Sequence, residues 1–394
     1  MADVMELIKQ HEADMIGIRR HIHANPELSN EENRTTALIR EKLEEYGIEI
    51  MEIGLKTGVV GFLKGGRPGK TVAIREDIDA LPMSEKTGLP YASSVDGVCH
   101  SCGHDIHTTV LLFCARVLSE LRDQLSGNVL FLFQPAEERG TGARQLLDCK
   151  FYEPVKPDVL VGLHVSPEYP AGSIGLKEGP ANASCDTFYI KVSGKGGHGA
   201  HPENCIDPIA IICHIHTALQ QLQARELEAG EIGVVTVGSL HAGTVNNAIP
   251  SEAVMKGTIR TFNGEVRDML RKRIPEICEN IAKAFRGTAE VEFASRYAIP
   301  MVCDETVASQ VRDSLTQIFP PQQVRYLAKK FPGAEDFSFV ADKVPTSFVV
   351  LGASIGPDAI YGQHHAKVQF NEKCLPVGAA AYAQAAAQWL ENNQ

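Results

Sequence analysis

Between residues 99 and 107 the chain reads Cys99-His100-Ser101-Cys102-Gly103-His104-Asp105-Ile106-His107. Thiolate and imidazole are standard ligands for zinc and other first-row transition metals. A C-x-H pair has the reach to serve one metal or to straddle two. Asp105 is a natural partner to orient a ligand histidine. No second C-x-x-C stands at zinc-finger spacing, so this is not a structural zinc module. A second cluster, Glu137-Glu138, follows the apolar run NVLFLFQ at 128–134. Adjacent carboxylates at the end of a buried strand are costly unless a positive charge sits between them. One can bind metal while the other takes the proton of an activated water; the plainer reading is a solvated helix N-terminus.

Taken singly, the remaining features are ordinary. His164 ends the apolar run DVLVGLHV, and Gln363-His364-His365 lies in a late loop. A lone strand histidine is usually a hydrogen-bonded core residue, and paired loop histidines are often surface. Their joint pattern says more. Cys, His, Glu and His follow strands at matching ends of one expected sheet, where ligands of α/β folds collect, and the late loop can close over them. The stretch Gly194-Lys195-Gly196-Gly197-His198-Gly199-Ala200-His201-Pro202 lets backbone approach a ligand or partner closely. There His198 is placed to polarise a carbonyl, and His201 to stabilise the loop. Asp77 and Asp79, two apart in Arg75–Pro82, suit support behind the ligands or a salt-bridged strand cap.

The elements that must position these groups follow from periodicity. Ile8, Met15, Ile18 and Ile22 predict one helix over 4–23, closed by Pro26. Ser29-Asn30-Glu31-Glu32 reads as a capping box for a helix that ends at Gly47. Strands are expected near 49–53, 58–64, 71–77, 128–134 and 158–165. Helices are expected at 142–148 and through TTVLLFCARVLSEL, whose stripe is Val110, Cys114, Val117 and Leu121. Buried strands alternating with helices predict an α/β fold with a largely parallel central sheet. From about 186 to 297 the order becomes β-α-β-β-α-β, the split βαβ pattern of a ferredoxin-like α+β domain. After 298 the α/β style returns, with helices near 304–318, 334–342 and 373–392 around the strand TSFVVLG. The expected organisation is a discontinuous domain, 1–185 and 298–394, interrupted by an inserted domain at 186–297. A length of 394 residues suits such an arrangement.

Composition narrows the function. With 38 Lys+Arg against 49 Asp+Glu, the formal charge is -11, which argues against a nucleic-acid binder driven by phosphate contacts. No run approaches the ~18 apolar residues that span a bilayer, and MADVMELIKQHEADMIG is no secretory signal. The cytoplasm is the expected compartment. There the 10 cysteines, Cys114 and Cys213 among them, read mostly as reduced, buried small hydrophobes. No G-x-S-x-G elbow offers a serine nucleophile, and no G-x-G-x-x-G opens a helix after the first strand for a dinucleotide.

The motifs HIHANPELS, REDIDALPM, CHSCGHDIH, FQPAEERGTGA, GLHV, GKGGHGAHP, NNAIP, GTIRT, GAEDFSF and the terminal HH loop run in order through almost the whole chain. In this the sequence resembles the metal-dependent amidohydrolases that include hippurate hydrolase, N-acyl-amino-acid deacylases and plant auxin-conjugate hydrolases. These belong to the wider aminoacylase and carboxypeptidase-G superfamily. The resemblance implies a di-metal-peptidase-like catalytic domain with an inserted lid that also dimerises. It implies a pair of divalent ions (Zn, Mn, Co or Ni) held by Cys102, His104, Glu138, His164 and His364, with His365 the alternative to His364. Glu137 is then the general base, His198 the lid histidine near the scissile carbonyl, and Asn247 and Arg260 the contacts to substrate. Asp77, Asp79 and Asp105 stand behind the ligands. Glu76 replaces the small residue more usual there and is expected to add negative charge. The implied substrate is an N-acyl-amino acid, and the implied assembly a homodimer or higher homo-oligomer through the lid. A dipeptidase or aminopeptidase on the same scaffold is the nearest rival, and a non-catalytic metal-binding or ligand-binding protein the more distant one.

Overall fold

The computed structural model describes residues 3–357 and 360–394. They form two compact units. The first comprises Met1–Gly179, Val302–Lys329 and Asp336–Gln394; the second comprises Pro180–Met301 and Lys330–Glu335.

An eight-stranded sheet organises the first unit, in the spatial order Glu49–Ile50, Val59–Lys64, Ser126–Gln134, Arg67–Asp77, Val159–Pro170, Thr346–Ser354, Ile174–Leu176 and Val324–Tyr326. From Ser126–Gln134 to Thr346–Ser354 all neighbours are parallel, so their carboxyl ends lie along one edge. These strands are buried on both faces, hence their continuous apolar runs. The helix His104–Glu120 was expected to be amphipathic, but it is buried almost all round. It lies among the helices Glu12–Ala24 and Cys374–Asn392 and the sheet, which leaves it little solvent face. Cys374–Asn392 approaches closely because alanines and Gly378 line it; a Cβ on Gly378 would lie 2.8 Å from Leu351 Cδ2. Each large apolar side chain so buried contributes about 1.5–3 kcal/mol.

Two local expectations are corrected. The single N-terminal helix is in fact two, Val4–Gln10 and Glu12–Ala24. The chain leaves helical geometry at His11, whose Nε2 meets Glu120 Oε1 at 3.0 Å. The residues Ser29–Glu32 form no capping box: Glu32 precedes the helix Asn33–Glu45 without a side-chain cap bond. Tertiary partners take both side chains instead. Ser29 Oγ donates to Asp79 Oδ2 at 2.6 Å, and Glu32 Oε1 accepts from Ala136 N at 2.8 Å.

In the second unit a four-stranded antiparallel sheet has the order Gly233–Ala242, Glu252–Thr261, Asp186–Ser193 and Thr288–Phe293. The helices Pro208–Gln221 and Gly264–Ala284 pack on it around Phe188, Ile190, Ile215 and Ile274. Asp186, at the start of the strand Asp186–Ser193, accepts two bonds of 2.7 Å from Arg267, which fixes the helix Gly264–Ala284. Cys213, expected in a core, is exposed, because its helix turns Ile211, Ile212 and Ile215 inward. All ten cysteines are free thiols. Among the described residues no helix is long and apolar enough to cross a membrane.

Candidate active site

At the carboxyl edge of the large sheet, Gly103 adopts φ 95°, a left-handed turn open to glycine. A Cβ there would lie 2.4 Å from Val165 Cγ1. This turn separates Cys102 from His104, the first residue of its helix. Cys102 Sγ lies 3.5 Å from His164 Nε2 and 3.3 Å from His364 Nε2. His364 Nε2 is also 3.3 Å from Glu138 Oε1, which is 4.0 Å from His104 Nε2. The donors form overlapping sets, each within 4.8 Å: Cys102, His104 and His164; Cys102, Glu138 and His364; His104, Glu137 and Glu138. Two sets that share one sulfur suit a pair of cations.

The glutamates sit on a tight turn after the strand Ser126–Gln134, where Ala136 takes φ 52°. Asp79 holds this turn by accepting from Glu137 N at 3.1 Å and Glu138 N at 3.0 Å. Its Oδ1 also lies 3.3 Å from His104 Nδ1. Glu137 Oε1 accepts from Asp336 N at 3.4 Å. His164 donates through Nδ1 to Val165 O at 2.8 Å, which leaves Nε2 for a ligand. His364 lies in the late loop at φ 60°. Its neighbour His365 instead stacks on Tyr361, with centroids 4.2 Å apart.

The electrostatics fit a cation. Burial, and then the charge of Glu138, push the Cys102 thiol well above its ordinary range. Burial also resists a proton on His104, but Asp77 and Cys102 outweigh it and raise that imidazole. Neither His104 ring nitrogen makes a well-aligned hydrogen bond, although the residue is fully buried. A divalent ion held by these donors would supply positive charge among them and favour the Cys102 thiolate. The donors present therefore fit transition-metal ions.

Behind these donors the structure redistributes the expected roles. Asp77 accepts from His107 Nδ1 at 2.6 Å and Arg75 Nη1 at 3.0 Å, and lies 3.5 Å from His104 Nε2. His107 Nε2 in turn accepts from Val165 N at 2.9 Å. Burial pushes the His107 imidazole down to about 3, with Asp77 opposing, so it is a neutral brace between helix and strands. Sequence reasoning passed over His107. The available signal was its position one helical turn from His104, on the same face. Asp105, expected beside a ligand histidine, turns instead to Arg19 Nε at 2.7 Å and His23 Nδ1 at 2.8 Å. Adjacent helix positions face different ways. Glu76 was expected to add negative charge. Burial and then Asp77 raise its carboxyl well above the usual range, and it accepts from Tyr382 Oη at 2.8 Å.

Cys102, His104, Glu137, Glu138, His164 and His364 thus converge in the first unit, while the second unit holds His198, Asn247 and Arg260. There the short strand Gly197–His198 pairs with Ala248–Ile249, which sets His198 opposite Ala248. Gly199 N donates to Asn247 O at 2.9 Å. His198 Nδ1 accepts from Ala200 N at 3.1 Å, which places the neutral ring's proton on Nε2. Arg260 is half-buried on the strand Glu252–Thr261, in register with Val234 of the edge strand.

Comparison with known proteins adds an independent line. Residues 73–388 match Peptidase family M20/M25/M40. The chain is 39% identical over 384 residues to an N-acetyl-L-cysteine deacetylase of Bacillus subtilis, covering 97% of this chain and 90% of that protein. It is 38% identical over 385 residues to a thermostable carboxypeptidase of Saccharolobus solfataricus, covering 95% of each. A Bacillus subtilis structure described as a dinuclear metal binding peptidase from the M20 family superposes with a TM-score of 0.85 at 36% identity, covering 97% of this chain and 99% of that one.

Proposed function

The chain belongs to peptidase family M20/M25/M40 and is a metal-dependent hydrolase of amide bonds, and from that premise we propose that it cleaves N-acyl-amino acids into a carboxylic acid and a free amino acid. The observation that carries this reading is the pair Glu137-Glu138, held by Asp79 beside two donor sets that share Cys102. Glu138 joins Cys102, His104, His164 and His364 as a ligand; Glu137 is the base. Zn, Mn, Co and Ni all suit this ligand chemistry. Divalent ions held there would lower the pKa of bound water towards neutrality and polarise a carbonyl.

The chain's own residues supply the rest. Glu137 takes a proton as water attacks the amide carbon, then returns it to the leaving nitrogen as the C–N bond breaks. His198 donates to the developing oxyanion, a contribution on the order of 3 kcal/mol. Arg260 grips the amino acid's carboxylate through its planar fork, and Asn247 is a further contact to the substrate. In this reading the first unit is catalytic and the second is lid and dimerisation module. Val234 and Leu240 are exposed on the edge strand Gly233–Ala242, and Ile232 just before it, an edge that suits pairing with a second copy. The enzyme is assigned to the cytoplasm, where its thiols stay reduced.

A panel of N-acetyl- and N-benzoyl-amino acids beside free dipeptides, run with each metal, tests the substrate class. Acylated substrates are expected to show at least about tenfold higher kcat/KM, roughly 1.4 kcal/mol of discrimination. Faster turnover of free dipeptides would favour the peptidase reading, for which the carboxypeptidase relative speaks.

A further inference from the structure

Gln363 has no part in the chemistry above, yet its side-chain amide stands among the proposed ligands. Its Nε2 lies 3.3 Å from Cys102 O, 3.2 Å from Val165 O, 3.2 Å from His164 Nδ1 and 3.7 Å from Cys102 Sγ. A primary amide carries two N–H donors. Two backbone carbonyls on different segments are in place to accept them, one at the turn before the helix His104–Glu120 and one midway along the strand Val159–Pro170. His164 Nδ1 is itself a donor to Val165 O, so it does not compete as an acceptor.

The loop needs such an anchor. His364 takes φ 60°, a conformation that non-glycine residues hold only when their surroundings enforce it. Its N–H donates to Ser101 O at 3.0 Å. Two consecutive loop residues therefore clasp the 101–102 segment, one through its backbone and one through its side chain, and the side chain also reaches the strand at Val165. Val165 is held from the other side, since its N–H donates to His107 Nε2.

We propose that Gln363 is a positioning residue, a single side-chain amide that keeps Cys102, His164 and His364 in register as one metal-binding set. The proposal rests on the ligand assignment made above. It follows that Gln363 governs how tightly the protein holds its ions more than how stably it folds without them.

The test uses the full chain with Zn2+ and Co2+ as probes. Gln363→Leu removes both donors at similar size. Gln363→Glu keeps the length but turns acceptors toward two carbonyls. Ion dissociation constants from chelator competition, and the thiolate-to-Co2+ absorption band, are read alongside the melting temperature of the metal-free protein. Both variants are expected to bind ions about 10–100-fold more weakly, with a weakened or shifted Co2+ band and an unchanged metal-free melting temperature. Wild-type affinity in Gln363→Leu overturns the proposal. A metal-free melting temperature that falls together with affinity also overturns it, because the role is then general packing. A wild-type protein that binds neither ion removes the ligand set itself, and this inference with it.

Discussion

Glu137 and Glu138 are covalent neighbours with different surroundings. Glu138 Oε1 lies 3.3 Å from His364 Nε2, while Glu137 Oε1 accepts from the backbone of Asp336. Asp79 fixes both by holding their two N–H groups, so the turn cannot exchange one carboxylate for the other. Substitution should therefore separate the two roles. Glu137→Gln is expected to lower kcat by about 10²–10⁴-fold, the usual span for a general base, with bound metal measured by atomic emission unchanged. Glu138→Gln should lose metal as well as turnover. Near wild-type turnover in Glu137→Gln would remove this residue from the mechanism. The surrounding side chains act mainly by excluding alternatives. The neutral His107 cannot compete for an ion while its two nitrogens engage Asp77 and Val165, and the Glu76 carboxyl, raised by burial, is turned to the Tyr382 hydroxyl rather than into the donor set.

At the scale of elements, the helix Glu12–Ala24 is tied to the start of His104–Glu120 by a buried charged network. Arg19 Nε and His23 Nδ1 both reach Asp105 Oδ2, and His23 Nε2 lies 3.3 Å from Glu85. Tyr91 and His100 flank the His23 ring at 5.5 and 6.4 Å between centroids. Burial resists a charge on His23 and Arg19 opposes it, but the charge of Asp105 and the hydrogen bonds to Asp105 and Glu85 prevail and raise the imidazole above 6.5. A folded-state pKa above the unfolded value adds stability that is complete below the unfolded pKa and disappears as pH rises through the folded one. His23→Gln should accordingly cost more stability near pH ~6 than near pH ~9, as read from urea midpoints. Equal losses at both would rule out a protonated His23. The network also explains why Asp105 is absent from the donor set: its helix position commits it to the neighbouring helix.

At the scale of the whole molecule, each unit has its own apolar core, and the clustered donors belong to the first. Ion removal should therefore spare most of the secondary structure while lowering the first unit's melting temperature. An ion at 100 times its Kd adds about 2.7 kcal/mol by mass action. Calorimetry of the chelated protein, titrated with Zn2+, is expected to show a transition that rises with free ion. A transition indifferent to ion would mean that the donor set does not bind it in the folded state.

Much of this was legible in the residues. The apolar runs, the β-α-β-β-α-β order and the Cys, His and Glu motifs at strand ends are local properties, set by covalent spacing and side-chain periodicity, and they foretold the parallel sheet. The N-terminal stretch shows where local signals fail: apolar spacing ran through His11, and Ser29 and Glu32 had the form of a cap, yet these three side chains meet partners 109, 50 and 104 residues away. The same limit applied to His107 and Gln363. Imidazole and amide side chains have no intrinsic assignment until packing presents a carboxylate, a backbone N–H or a carbonyl to them. Residue type and spacing by themselves determined what chemistry was available. Only the tertiary structure decided which groups meet, because Cys102 and His364 are 262 residues apart, and nothing shorter in range than the folded core brings them to 3.3 Å.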